Sequence, residues 1–249
     1  DKIDPIALIT DNQEFQLDAS GNVSITAAQI DNGSSDNCSI DQMTISQTDF
    51  DCAETGDNTI QFTVTDPSGN STEVDVIVKI KDFINPVAIG KDISVNLDAS
   101  GSVTITPSQV DNGSSDNCGS PTLGLSQSTF DCTETGDNTT TLTAIDASGN
   151  SHFTTVVVTV QDITPPTLTL QDITIQVDAD GEYNLIASDI VVINEDNCTT
   201  PTLSLSKTKF ICAEIGTIQT ITVIATDASG NTTTETATIQ VTDKTAPIA

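Results

Sequence analysis

The chain of 249 residues predicts an all-β protein made of three tandem repeats, and three observations carry this prediction. A set of motifs returns at a step of 80 residues. Apolar and polar residues alternate with a period of two, and clusters of Asp, Ser, Gly and Asn separate the alternating stretches. No stretch of ten or more residues repeats apolar positions at the helical period of 3.6, so a mainly helical fold is excluded.

The repeat is most visible in a tripeptide and in single aromatic and cysteine positions. Asp36-Asn37-Cys38 returns at 116–118 and 196–198, and the same step relates three phenylalanines and three further cysteines: Phe50, Phe130 and Phe210, and Cys52, Cys132 and Cys212. One residue is inserted after Cys212. Pro-containing joints then divide the chain into repeats at 1–81, 82–161 and 162–242, with 243–249 starting the linker to a following repeat. We therefore expect an excerpt of a longer array.

Each repeat reads as a series of short strands. Ile60, Phe62 and Val64 alternate with polar residues, and a similar alternation over 73–80 follows the turn Asp66-Pro-Ser-Gly-Asn70, which predicts a hairpin. Leu17-Asp-Ala-Ser-Gly21 predicts a second hairpin turn earlier in the repeat. Six or seven strands in about 80 residues are typical of an immunoglobulin-like antiparallel β-sandwich, with Phe50 and its equivalents in the core. The predicted whole is three such domains in an elongated rod.

Each repeat also holds two cysteines that are 14 residues apart. A small domain needs a covalent staple, so we predict disulfides within the repeats: Cys38–Cys52, Cys118–Cys132 and Cys198–Cys212. A zinc site is the alternative, but two cysteines without a nearby histidine fall short of four ligands. Disulfides would place the chain outside a reducing cytosol, and bridges between repeats would contradict the prediction of independent domains.

These motifs resemble a known family. The Thr-Val-Thr-Asp-Pro-Ser-Gly-Asn stretch at 63–70 and the Pro-containing joints resemble the hyalin-repeat family, an immunoglobulin-like extracellular adhesion module. The fuller signature, Leu-Asp-Ala-Ser-Gly followed by Asp-Asn-Gly-Ser-Ser-Asp-Asn-Cys and Phe-Asp-Cys, is similar to the repeats of giant surface adhesins of the SprB type in gliding Bacteroidetes-type bacteria. The resemblance implies a secreted stalk that holds an adhesive tip away from the cell. Hyalin repeats place their cysteines elsewhere, so it implies no disulfide pairing.

Composition excludes several functions. The chain has 36 acidic residues against 7 basic ones, a net charge of −29, and every basic residue is a lysine, so we expect no nucleic-acid partner. No apolar stretch of about 18 residues predicts membrane insertion, and no N-terminal signal peptide is apparent. The single histidine, His152, has no counterpart in the other repeats and is expected on the surface. Because no set of nucleophile and base is visible, we expect no enzyme.

Calcium is the one cofactor that the acidic loops favour. Ca²⁺ takes six to eight oxygen ligands, and loops that would meet at the joint between the first two repeats offer eight candidates: Asp18, Asp82, Asn85, Asp111, Asp116, Asn117, Asp146 and Asn150. The alternative is that these side chains cap their own turns, with diffuse association of cations around the acidic surface.

The sequence thus predicts a structural stalk segment of a large extracellular, cell-surface adhesin or filament, acting in cell adhesion and gliding motility. Its expected partners are the neighbouring repeats of the same chain. A glycan- or protein-binding module is one alternative, and the stretch Ile190-Val-Val-Ile-Asn-Glu195, where the third repeat departs most from the others, would mark it. A subunit that associates with itself into a filament is the other.

Overall fold

The computed structural model describes residues 2–243, which form two compact units. The first unit holds the residues up to Lys91 with Pro107–Ser126 and Thr141–Val156, and the second holds Asp92–Thr106, Gln127–Thr140 and the residues from Val157 onward. The predicted repeat boundaries at 81/82 and 161/162 stay a prediction, and each falls inside one unit. Asp1 and the linker start at 244–249 lie outside the described residues.

The first repeat contains six strands and two short helical turns. They are β1 (Gln13–Gln16), β2 (Asn22–Ser24), helix α1 (Ala27–Ile30), β3 (Gln42–Ile45), β4 (Asp49–Asp51), a 3₁₀ turn (Cys52–Glu54), β5 (Gly56–Thr65) and β6 (Ser71–Lys81). Strands β5 and β6 form the predicted hairpin, paired from Gly56↔Ile80 to Thr65↔Ser71. The four-stranded sheet has the order β1-β6-β5-β3, and β2 pairs with β4 separately.

The other two repeats follow the same plan. The second holds β7 (Ile93–Asn96), β8 (Ser102–Thr104), helix α2 (Pro107–Val110), β9 (Thr122–Leu125), β10 (Thr129–Asp131), a 3₁₀ turn (Cys132–Glu134), β11 (Gly136–Ile145) and β12 (Ser151–Gln161). The third holds β13 (Thr167–Leu170), β14 (Ile173–Gln176), β15 (Glu182–Asn184), helix α3 (Ala187–Ile190), β16 (Val191–Glu195), β17 (Thr202–Leu205), β18 (Lys209–Ile211), a 3₁₀ turn (Cys212–Glu214), β19 (Ile218–Thr226) and β20 (Thr232–Thr242). Their four-stranded sheets run β7-β12-β11-β9 and β14-β20-β19-β17.

Residues from both sheets of a repeat share one apolar core. In the first repeat Phe62 and Val78 of the hairpin pack in the same cluster as Phe50 of β4 and Ile30 of helix α1. The predicted core phenylalanines Phe50, Phe130 and Phe210 are all buried, at 2%, 0% and 0% exposure. The alternating pattern of the sequence therefore marks one buried and one exposed face along the long strands.

Two details of the predicted topology are wrong. The turn from Asp18 to Gly21, closed by a Gly21 N–H to Asp18 carbonyl bond of 2.9 Å, is not a hairpin turn, because it connects β1 of the four-stranded sheet to β2 of the other sheet. Strand β1 instead pairs with β6 in parallel, from Gln13↔Val78 to Gln16↔Lys81. Alternation identifies a strand but not its partner, so neither feature was visible in the pattern.

The stretch at 190–195, where the third repeat departs from the others, forms regular structure. Strand β16 pairs with β13 in an additional two-stranded sheet, from Thr167↔Glu195 to Leu170↔Val191. The corresponding segments of the first two repeats meet only through isolated bridges, such as Ile6↔Ser35. The difference in sequence therefore extends a sheet rather than creating a separate loop.

Candidate functional site at the repeat joints

The cysteines connect successive repeats. Cys52 bonds to Cys118, and Cys132 bonds to Cys198, with Cα–Cα distances of 5.2 and 5.3 Å. Each bridge joins the 3₁₀ turn of one repeat to the Asp-Asn-Cys turn of the next, and each spans 66 residues. We call the surroundings of the two bridges the first joint and the second joint. The first joint lies within the first compact unit and the second joint within the second unit.

The predicted pairings Cys38–Cys52, Cys118–Cys132 and Cys198–Cys212 are therefore wrong, and bridges that join successive repeats also contradict the prediction of independent domains. An 80-residue repeat that preserves a spacing of 14 between two cysteines also preserves the spacing of 66 to the next repeat, so the sequence could not distinguish the two pairings. Cys38 and Cys212 are exposed and make no disulfide among the described residues. Each occupies the position of a cysteine that is bonded in the other repeats.

A glycine makes room for each bridge. Gly21 has a φ of +75°, and a Cβ on it would lie 2.6 Å from Cys52 Sγ and 2.9 Å from the backbone oxygen of Asn117. Gly101 has the same arrangement at the second joint, 2.7 Å from Cys132 Sγ and 2.6 Å from the backbone oxygen of Asn197. The glycine of the Leu-Asp-Ala-Ser-Gly motif thus permits both a left-handed turn and a close approach of the next repeat.

Two aspartates of the first joint each keep one oxygen without a hydrogen-bond partner. Asp82 is 3% exposed, and its Oδ1 accepts bonds from the Ile84 N–H at 3.1 Å and from Asn117 Nδ2 at 3.3 Å, whereas its Oδ2 has no partner. Asp116 Oδ2 accepts the Cys118 N–H at 2.9 Å, and its Oδ1 has no partner. Ligand atoms of Asp82, Asp116 and Cys118 lie within 4.8 Å of one another.

The Asn117 amide completes this cluster. Its Nδ2 lies 3.4 Å from the Asp18 carbonyl oxygen and 3.3 Å from Asp82 Oδ1. Turning the amide over would place an oxygen against these two acceptors, so the Nδ2 side is fixed and Oδ1 is the free atom. That Oδ1 is buried and has no hydrogen-bond partner. The first joint therefore holds three oxygens without a donor, from Asp82, Asp116 and Asn117.

The second joint holds a similar cluster, in which Asn197 Nδ2 donates to the Asp98 carbonyl oxygen at 3.1 Å. Asp162, Asp196 and Cys198 lie within 4.8 Å of one another, and Asp196 Oδ1 and Asn197 Oδ1 lack partners. Asp162 is 7% exposed, but its Oδ2 accepts a bond from the Ser229 hydroxyl at 3.4 Å. Asp162 Oδ2 is thus engaged, although at a distance longer than usual for a hydroxyl donor.

The other predicted calcium ligands cap turns or take part in the framework of the joint. Asp18 Oδ1 accepts the Asn22 and Ser20 backbone N–H groups, which lower the pKa of Asp18. The Ser114 hydroxyl and the Ser114 backbone N–H both donate to Asp111 Oδ1 and lower the pKa of Asp111. Both carboxylates therefore cap the turns in which they lie.

Two asparagines and one further aspartate of the predicted set remain. Asn150 Nδ2 donates to Asp146 Oδ2 at 2.8 Å and to the Asp82 carbonyl oxygen at 3.0 Å, and therefore ties the last hairpin turn of the second repeat to the joint. Asn85 is exposed. Of the eight candidates, Asp82, Asp116 and Asn117 each keep a buried oxygen without a hydrogen-bond partner.

His152 is exposed, and its Nδ1 accepts the Ala88 backbone N–H at 3.0 Å. This position agrees with the expected surface location. Among residues 2–243, no helix has the length and apolar character needed to span a membrane.

No family model and no curated protein matches the chain. Among solved structures, cadherin domains 1–4 of protocadherin gamma B7 align with 13% identity and a TM-score of 0.35, over 96% of this chain and 76% of that one. Mouse cadherin-23 domains 22–24 align with 14% identity and a TM-score of 0.33, over 96% and 99%. An endo-fucoidan hydrolase of glycoside hydrolase family 107 aligns with 16% identity and a TM-score of 0.24, over 97% and 44%. At these TM-scores no conclusion about family or function is drawn from the alignments.

Proposed function

We propose that this chain is a structural segment of a large secreted adhesin, a stalk of hyalin-like repeats that carries tension between a cell surface and an adhesive tip. The observation that carries the proposal is the covalent connection of successive repeats through Cys52–Cys118 and Cys132–Cys198. An enzyme or a simple binding domain has no need of a staple that returns at every joint. No catalytic role and no nucleic-acid partner is part of the proposal.

The bridges would change the path that force takes through the chain. Tension enters along the backbone to Cys52, crosses to Cys118, follows the backbone to Cys132 and crosses to Cys198. The residues at 53–117 and 133–197 lie off this covalent path and are shielded from extension. In the chain-entropy description each bridge, which closes 66 residues, also stabilises the folded state by about 4 kcal/mol. These effects suit a load-bearing segment.

The bridges also support an extracellular location. Disulfides persist in oxidising surroundings, outside the cytosol. The net charge of −29 would keep long chains soluble and apart by mutual repulsion. A role in gliding motility rests on the resemblance of the motifs to gliding adhesins alone.

Negative-stain electron microscopy of the purified segment tests the proposal. For a stalk we expect separate elongated particles roughly 110 Å long, from three repeats with strands of about eight residues at about 3.3 Å per residue plus their loops. Particles as wide as they are long would contradict it.

A filament subunit is the second candidate, and the correspondence of Cys38 and Cys212 to the bonded cysteines favours it. Cys38 corresponds to Cys118, and Cys212 corresponds to Cys132, so Cys212 of one copy and Cys38 of another could form the same joint between chains. Two thiols would be oxidised to a disulfide while glutathione disulfide is reduced to two glutathione thiols. Under this oxidant, covalent ladders on non-reducing gels that disappear in Cys38→Ser would support the filament, and a persistent monomer would reject it.

A further inference from the structure

The geometry of the first joint points to a calcium ion held between the carboxylates of Asp82 and Asp116, with the Asn117 amide oxygen beside them. This inference concerns a binding site and holds whether or not the chain acts as a stalk. It rests on one carboxylate that is almost completely buried and on the oxygens that face no donor.

Asp82 is the central observation. Its side chain is 3% exposed, yet Oδ2 accepts no hydrogen bond. A carboxylate removed from water loses its solvation, and it stays charged only if a cation or hydrogen-bond donors replace the lost water. The ion pairs Lys207–Glu214 and Lys209–Glu182 lie elsewhere in the chain. A bound cation would supply the missing partner of Asp82 Oδ2.

The neighbours of Asp82 are arranged to share such a cation. Asp116 Oδ2 accepts the Cys118 N–H, and Asp116 Oδ1 has no partner. Asn117 Nδ2 donates to Asp82 Oδ1, and Asn117 Oδ1 has no partner. Each side chain is thus oriented through one atom and keeps a second atom without a partner. Asp116 lies 34 residues after Asp82 in the chain. An ion between them would therefore hold together two segments that are distant in sequence.

The donor atoms select the class of cation. Carboxylate and amide oxygens are ligands for hard cations such as Ca²⁺. Cys118 Sγ lies in the same cluster but is part of a disulfide, so it is not the thiolate that zinc would need. Three protein oxygens leave several positions for water, and Ca²⁺ tolerates such irregular shells better than Mg²⁺, which requires an octahedron. A site of this kind should bind Ca²⁺ with a Kd of about 10⁻⁴–10⁻³ M, the range of extracellular modules.

The second joint has equivalent residues, but one of their carboxylate oxygens already has a hydrogen-bond donor. Asp162, Asp196 and Asn197 stand where Asp82, Asp116 and Asn117 stand, but the Ser229 hydroxyl lies 3.4 Å from Asp162 Oδ2. An ion there would have to displace this hydroxyl. We therefore assign the stronger site to the first joint.

Calorimetric titration of the oxidised full chain with CaCl₂ tests the site, in a buffer with enough NaCl to screen diffuse association. Asp82→Asn and Asp116→Asn each remove one charge and keep the shape of the side chain. Asp75→Asn is the matched control, because it removes one exposed charge of β6. Far-ultraviolet circular dichroism verifies that every variant is folded.

We expect saturable binding that weakens at least tenfold in Asp82→Asn and Asp116→Asn and is unchanged in Asp75→Asn. A Mg²⁺ titration should give weaker binding than Ca²⁺. The inference is overturned if Ca²⁺ gives no saturable heat up to about 20 mM, which would leave water as the occupant. It is equally overturned if all three variants weaken binding alike, since that result describes diffuse attraction to the acidic surface.

Discussion

The inter-repeat bridges predict how far the chain can be stretched. Each bridge spans 66 residues, which at about 3.4 Å per extended residue hides roughly 220 Å of contour length. The two bridges together therefore shorten the fully unfolded, oxidised chain by about 450 Å. Bridges within the repeats, 14 residues apart, would hide only about 50 Å each and about 150 Å in all. The two pairings differ threefold in this length.

Single-molecule pulling from the two termini measures the contour length that the bridges hide. The total contour length is compared before and after reduction, and we expect a gain of about 450 Å on reduction. The double variant Cys52→Ser/Cys118→Ser should already show about half of that gain when oxidised. Cys38→Ser is the control and should leave the length unchanged, because Cys38 is not bonded. A gain near 150 Å, or a loss of bridge length in Cys38→Ser, would refute the account of the load path.

Three further predictions concern stability and are checked by denaturant or thermal unfolding. Gly21→Ala places a Cβ 2.6 Å from a bridge sulfur and should lower the free energy of unfolding by several kcal/mol. Gly33→Ala, also at positive φ but with nothing within 4 Å, should lower it by about 1 kcal/mol. Equal losses would contradict the crowding at the joint. Phe130→Ala should cost about 3–5 kcal/mol, and the exposed Phe153→Ala less than about 0.5 kcal/mol, so similar midpoints would argue against the assigned core. Hydrogen bonds from the Ser100 hydroxyl and the Ser100 backbone N–H lower the pKa of Asp98 below its ordinary value of 3.8. The ionised Asp98 therefore stabilises the fold above that value, and this stabilisation is lost as the pH falls through the folded-state pKa. Asp98→Asn should lower the melting temperature at pH 7 but not near pH 2, and an equal effect at both pH values would exclude the charge as the cause.

The strands and turns could be predicted because they depend on local patterns. The alternation around Phe62 and the turn at 66–70 require the β5–β6 hairpin whatever surrounds it. The parallel pairing of β1 with β6 could not be predicted, since it joins Gln13 to Val78 across most of the repeat. No local signal distinguishes a strand that pairs with its neighbour from one that crosses to a distant partner.

The joint was predicted in part, and its covalent chemistry was mistaken. Placing Asp82 with Asp116 and Asn117 followed from which loops lie at the same end of a sandwich, and the structure brings these three together. The pairing of Cys52 was misjudged because periodicity is indifferent to whether a contact lies within a repeat or between repeats. The glycines of the motif give no signal either, because Gly181 has the same left-handed turn beside Cys212, which is not bonded.

Mapping of the disulfides by mass spectrometry tests the central claim most directly. The chain is blocked with an alkylating reagent and digested without reduction by a protease that cleaves before Asp together with trypsin, which cuts after Lys207 and Lys209 and thereby separates Cys198 from Cys212. The digest is then analysed for linked peptides. We predict peptides joining Cys52 to Cys118 and Cys132 to Cys198, with alkylated thiols on Cys38 and Cys212. Peptides joining the two cysteines of the same repeat would contradict the claim that successive repeats are covalently connected.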